Sequence, residues 1–260
     1  RMDEAIKESQ GALEQQRTLT ARNPNEKSSL VDLASCQNLH GELLQLIEHY
    51  EEAREQYQAA YETRKKLFDQ DPNDPENIRE LASSLNNIGL LLKELGEPEK
   101  SLEKQRESRQ LRTRVCDLLP GIPEYQYELA ICQNNLVDIL GQLGQFQEAK
   151  EVCEEWLLLS GKLSNQFLKV PDYRQQLARA HNTKGLILNE FEDSAGAHDA
   201  FAASRKTQEA LVRDFPDVQE YAIDLGGSYC NYGNLVARDG KAEESLQWFD
   251  LAISTLKPIH

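Results

Sequence analysis

The chain is short of positive charge. Its 260 residues hold 29 lysines and arginines against 44 aspartates and glutamates, a formal net charge of −15. Such a surface repels a phosphate backbone, which argues against nucleic acid and leaves basic partners or plain solubility as readings of the charge. Long apolar runs are missing too. No stretch approaches the ~20 residues that cross a bilayer. The opening RMDEAIKESQ has neither the apolar core nor the small-residue cleavage site of a secretory leader. The expectation is a cytoplasmic protein with no membrane partner. The five cysteines, Cys36, Cys116, Cys132, Cys153 and Cys230, form no CxxC pair, which argues against a zinc site or a dithiol redox motif. They are expected as buried, reduced thiols, although Cys132 and Cys153, on consecutive helices, leave a facing pair open. The five histidines, His40, His49, His181, His198 and His260, show no HExxH and no metal spacing along one helix face. No catalytic residue, metal or cofactor is expected.

What the chain does have is self-similarity. A shift of 48 residues places Leu33, Leu81, Leu129, Leu177 and Leu225 in one column without insertion or deletion. The same shift aligns Gly41, Gly89, Gly185 and Gly233, then Gly96, Gly144 and Gly240, then Pro24, Pro72, Pro120 and Pro216. A period in this range marks stacked units, each too small to bury its apolar face alone. Each unit holds two helices. Ile78, Leu81, Leu85, Ile88, Leu92 and Leu95 recur at helical spacing and define the first. It stops at the Gly96 column, which suits a left-handed C-terminal turn. Glu48 and Glu192 occupy that column in two repeats and predict another geometry there. The second helix runs to the proline column, where the ladder cannot continue; Leu168 alone breaks that column.

The expected fold is all-α: a solenoid of antiparallel helix pairs with eleven helices near 2–20, 27–46, 49–69, 75–94, 97–117, 123–142, 145–166, 171–190, 193–213, 217–237 and 241–256. Residues 1–260 are expected as one repeat domain, with a half repeat over 1–23 and repeats over about 24–71, 72–119, 120–167, 168–215 and 216–260. The half repeat, which lacks a first helix, suggests a piece of a longer chain. Lys104, Arg106, Arg109, Arg112 and Arg114, interleaved with Glu103 and Glu107, read as a solvated helix face, with a docking patch for an acidic partner as the other reading.

From Gly89 the pattern runs seven residues to Gly96 and five more to Ser101, whose equivalents are Ala53, Ala149, Ala197 and Ser245. This small-residue frame resembles the tetratricopeptide repeat, lengthened from its usual 34 residues by about two turns per helix. LNNIGLLLKELG also resembles kinesin light chain repeats, and NYGNL (231–235) resembles units of the O-linked N-acetylglucosamine transferase superhelix. FPDVQEYAIDLGGSYCNYGNL (215–235) and SLQWFDLAISTLKPI (245–259) are similar to arrays that follow the catalytic domain of planctomycete-type bacterial Hanks-type serine/threonine kinases. The chain itself has no Gly-rich phosphate loop, HRD or DFG. Two departures, Val137 in the close-packing glycine column and Gly226-Gly227 in place of alanine and a small residue, predict altered helix spacing. Trp156 and Trp248 read as packing, with Trp156 expected to fill space opened by Val137.

The resemblance implies a right-handed superhelix whose first helices line a concave groove. Its groove positions map to two columns: Asn38, Asn86, Asn134, Asn182 and Cys230, and Leu39, Asn87, Asn135, Thr183 and Asn231. Lys93, Asp138, Asn189, Asn234 and Arg238 would line the same groove. Asparagine is a mediocre helix former, so its recurrence needs a reason. An amide matches a peptide bond in donors and acceptors, so the columns could hold an extended peptide by its backbone; alternatively they bridge neighbouring repeats and satisfy interior polar groups. The resemblance implies a protein or peptide partner recruited for an attached domain. It does not include the carboxylate clamp of chaperone-binding arrays. A structural arm that self-associates through exposed end repeats, and a small-ligand receptor or enzyme in the groove, are the alternatives from other classes.

Overall fold

Apolar residues repeated every three to four positions make helices that must bury one face. In the structure, a computed structural model that describes residues 2–257, eleven helices and no strand form among the described residues. They are α1 (Met2–Arg22), α2 (Lys27–Leu46), α3 (Tyr50–Gln70), α4 (Pro75–Glu94), α5 (Pro98–Leu118), α6 (Pro123–Gln142), α7 (Phe146–Gln166), α8 (Pro171–Glu190), α9 (Ser194–Asp214), α10 (Gln219–Arg238) and α11 (Ala242–Leu256). The expected boundaries hold to within two residues. The chain divides into two compact units, Arg1–Tyr125 and Gln126–His260. In the first, α1 to α5 each pack on the next; in the second, α7 to α11 do the same, and α8 also touches α10. Each unit is thus a row of antiparallel helix hairpins with a thin core between them.

The turns inside the hairpins are made one way throughout. Gly96, Gly144 and Gly240 have φ of 75°, 69° and 82°. Glu48 and Glu192 adopt the same left-handed backbone at 61° and 59°, so the expected departure at these two positions does not occur. Two backbone bonds hold the turn in all five cases, illustrated by Gly96 N–H to the Lys93 carbonyl (3.0 Å) and Glu97 N–H to the Leu92 carbonyl (2.9 Å). His49 and Asp193 N–H repeat the second bond to Leu44 and Leu188. The bond that reaches back five residues satisfies a carbonyl that the helix end orphans. This shared backbone pattern outweighs the β-carbon penalty at the glutamates. Between hairpins, α7 ends beside Leu168 as the other second helices end beside proline, so proline is not what stops it. The next helix is fixed instead by Pro75, Pro123 or Pro171 in its first turn and, at α4, by Asp74, whose carboxylate accepts from Glu76 N–H at 3.0 Å.

The first glycine column is a contact surface. A β-carbon on Gly41, Gly89, Gly185 or Gly233 would lie 2.8–2.9 Å from Tyr57, Gln105, Phe201 or Phe249 of the paired helix. These facing residues are themselves 48 apart, and the fifth member of their column is Cys153. In that hairpin the glycine is Val137, and both Val137 and Cys153 are buried. The bulk has moved from the second helix to the first, which answers the expected irregularity. Trp156 is fully buried, as expected of a packing residue, but it rests on Ala130 and Ala180, away from the valine. It therefore does not compensate Val137. At Gly226 the missing β-carbon admits Leu256, which a methyl would meet at 2.6 Å.

Candidate functional site

The first helices α2 and α4 in one unit, and α6, α8 and α10 in the other, carry the asparagine columns. In a helix, side chains at i and i+1 point about 100° apart, so a core-facing residue such as Leu85 leaves Asn86 and Asn87 half-buried at the edge of the face. Here the amides join repeats. Asn87 Nδ2 donates to Asn38 Oδ1 at 2.8 Å, and 144 residues on in the same register Asn231 Nδ2 donates to Asn182 Oδ1 at 3.3 Å. Asn182 also accepts from Ser228 Oγ at 3.1 Å, and Asn38 Nδ2 donates to Glu42 at 2.6 Å. Asn86 Nδ2 donates to Asn87 Oδ1 (3.2 Å), while Gln105 Nε2 donates to the Asn86 backbone carbonyl at 3.1 Å. A second clasp lies two turns beyond, where Gln45 Nε2 donates to Glu94 at 2.8 Å. Of the two roles the columns could play, the structure gives Asn38, Asn87, Asn182 and Asn231 bonds that bridge repeats, whereas the bonds shown for Asn86 stay within its own hairpin. An asparagine amide has two donors and an oxygen with two lone pairs, so these bonds do not use up its capacity.

The remaining residues differ in exposure. Asn134, Asn135, Asn189 and Lys93 are half-buried, and Asp138 and Asn234 are exposed. Arg238 approaches Glu190 at 3.9 Å. The structure brings Asn134 and Asp138 together in a cleft of about 560 Å³ between α6 and α8, with Val137, Phe146, Leu186 and Ile187 as its apolar walls and Glu190 at one side. Asn189, Asn234, Lys93 and Asn135 are not part of its lining. Two features of the register account for the opening. Thr183 stands where Asn87 and Asn231 reach back to the preceding repeat, and Gly141 stands where Gln45 reaches forward to Glu94. Neither replacement has an amide, so neither clasp can form between α6 and α8. This meeting of substitutions was not legible without knowing which columns touch.

Other polar groups serve packing. Arg64 is buried and held by Glu80 at 2.6 Å and Ser84 at 2.9 Å. In the basic run of α5, Arg112 is buried and Arg114 donates to Asn73 at 2.7 Å, so that run is not a uniform solvated face. Two residues in α9 make contacts that the sequence did not point to. His198 bridges Tyr232 Oη (3.0 Å) and Asp239 (2.6 Å), and Arg205 lies 4.6 Å over the Trp248 ring. None of the five cysteines is in a disulfide, Cys132 and Cys153 included. Burial pushes the Cys153 thiol up to about 12, and burial, then Lys184, lowers His181. No group of three or more metal-binding side chains occurs among the described residues, and no described helix is long and apolar enough to cross a membrane.

The tetratricopeptide-repeat family model matches residues 33–76, 81–118 and 129–164. No curated protein matches the sequence. Among solved structures, BtubC (BKLC) from P. vanneervenii superposes with a TM-score of 0.72 at 18% identity, covering 100% of this chain and 92% of that one. The Rap conjugation gene regulator of plasmid pLS20, solved in complex with the Phr* peptide, gives 0.58 at 16% over 89% of this chain. This chain spans 56% of that regulator's length. A putative kinesin light chain from Podosopora anserina with nearly identical TPR-like repeats gives 0.54 at 13%, covering 89% and 98%. At these identities the likeness is one of fold. Together with the five left-handed turns and the glycine contacts in register, the matches show an all-α array of 48-residue period in which 33–76, 81–118 and 129–164 are tetratricopeptide repeats.

Proposed function

We propose that the first-helix face binds a linear segment of a partner protein and that the array is a recruitment module. The observation that carries this is the cleft between α6 and α8, which pairs apolar walls with an asparagine amide on the face where the repeats leave side chains accessible. Pockets that hold ligands combine these two ingredients. The fold supports the same reading, since the Rap regulator of similar fold was solved with a peptide bound. The recruiting role for an attached kinase rests on the resemblance of 215–235 and 245–259 to kinase-linked arrays.

The test is affinity capture from cell lysate with the native chain and with a variant carrying Asn134→Ala, Asn189→Ala and Asn234→Ala. None of these three is in a bond that joins repeats in the structure, so the variant is expected to give an unchanged circular dichroism spectrum. Loss of a captured protein by the folded variant supports the reading; equal capture by both moves the binding surface elsewhere. A second reading, self-association, has its own observation: α11 exposes Leu246 and Ile253 at 61% and 62%. It is checked by light scattering, where mass independent of concentration would remove it.

A further inference from the structure

The cleft between α6 and α8 has a chemistry more specific than a generic groove. Its walls are Val137, Phe146, Leu186 and Ile187, its carboxylates are Asp138 and Glu190, and no lysine, arginine or histidine is among its lining residues. Among the described residues Glu190 is answered at 3.9 Å by Arg238, whose side chain is 55% exposed, and such an exposed pair contributes little. The chain as a whole carries −15, so the field in the cleft favours a cation and repels an anion. The volume of about 560 Å³ lies within the ~300–1,000 Å³ of pockets that bury a small ligand. It admits a few side chains of an extended segment and not a folded domain.

We infer that this cleft is the specificity pocket of the array and that it takes a basic amphipathic peptide segment: a large apolar side chain between the four apolar walls, with an adjacent lysine or arginine bonded to Glu190. This rests on the reading that the first-helix face binds a linear segment. The Asn134 amide meets the peptide backbone beside the anchor. Register explains why the pocket is here. Thr183 and Gly141 remove the two clasps that join α2 to α4, and the space those amides would cross becomes the opening. Gly141 has nothing within 4 Å of where its β-carbon would lie, so it is open to whatever enters.

The experiment selects a phage library of random twelve-residue peptides on the native chain and counterselects on Gly141→Trp, which plugs the cleft from a helix position with free space. Gly11→Trp, also in open helical surroundings, controls for the added tryptophan, and circular dichroism verifies both folds. The expected result is a set of peptides that need Gly141 and carry lysine or arginine next to leucine, phenylalanine or another large apolar residue. One selected peptide should lose about tenfold in affinity with Glu190→Lys, the size of one charge-assisted bond, and bind more weakly as salt rises. Selected peptides that are acidic, or show no enrichment of cations, would overturn the inferred chemistry. Peptides indifferent to Gly141→Trp, or none at all, would overturn the pocket. Lysate capture lost on the Asn134, Asn189 and Asn234 substitutions would still stand in either case, which separates this inference from the broader one.

Discussion

Glu48 and Glu192 hold a backbone shape, with φ of 61° and 59°, that the same turn elsewhere gives to glycine. A side chain in the left-handed region costs ~1–2 kcal/mol because its β-carbon crowds the following carbonyl. Glycine removes that strain but raises the entropy of the unfolded chain. Glu48→Gly and Glu192→Gly are each expected to gain about 1 kcal/mol at most, read as a higher urea midpoint with an unchanged slope. The converse change, Gly96→Ala, should lose a similar amount. From the residue type alone these two turns looked exceptional. A glutamate does not announce positive φ, and only the shared bond from the N–H of His49 or Asp193 to a carbonyl five residues back shows why the backbone overrules it.

At the scale of the helix pair, the determining contact is the one between the glycine column and the bulky residue opposite. Gly185→Val would drive a β-carbon to 2.8 Å from the Phe201 ring, and overpacking of this kind costs ~1–3 kcal/mol. The third hairpin uses valine and cysteine at these two positions. Adding Phe201→Cys to Gly185→Val is therefore expected to recover part of the loss, so the double variant should be more stable than the sum of the singles. Denaturation of the four proteins closes that cycle. The helices themselves were legible almost to the residue, because the Leu81, Gly89 and Gly96 columns punctuate every repeat. The pairing of Val137 with Cys153 was not, although both lie in plain columns. Periodicity tells which residues are equivalent along the chain, while the identity of a residue's neighbour across the hairpin depends on how the helices rotate against each other. The same limit sent Trp156 to the wrong partner in the sequence reading, when it rests on Ala130 and Ala180.

For the molecule as a whole, stability is expected to depend on alkaline pH. Burial holds the Cys153 thiol at about 12 against a usual 9.0, and burial with Glu209 holds the Tyr229 phenol at about 12 against 10.0. Well below pH 9 both groups are neutral whether the chain is folded or not, and no slope arises. Between about 9 and 12 the unfolded chain releases protons that the folded chain keeps, so stability falls as pH rises through that window. The urea midpoint should drop from pH 8 to pH 10.5, and Cys153→Ala should flatten the decline. The candidate site was half legible at this scale. The first-helix asparagines were visible as columns, but whether an amide faces a neighbour or a ligand depends on the length of the side chain opposite it, as Thr183 and Asn231 show by differing.

Those missing clasps also have a mechanical meaning. In Gln126–Lys257, α8 and α10 are pinned by the Asn182–Asn231 bond, whereas α6 and α8 have no such pin. Under load that unit is expected to yield first at the gap beside Gly141, before the pinned pair next to it. A segment seated in the gap would act as a splint, and occupancy would be felt as stiffness between the two helices before any change in secondary structure.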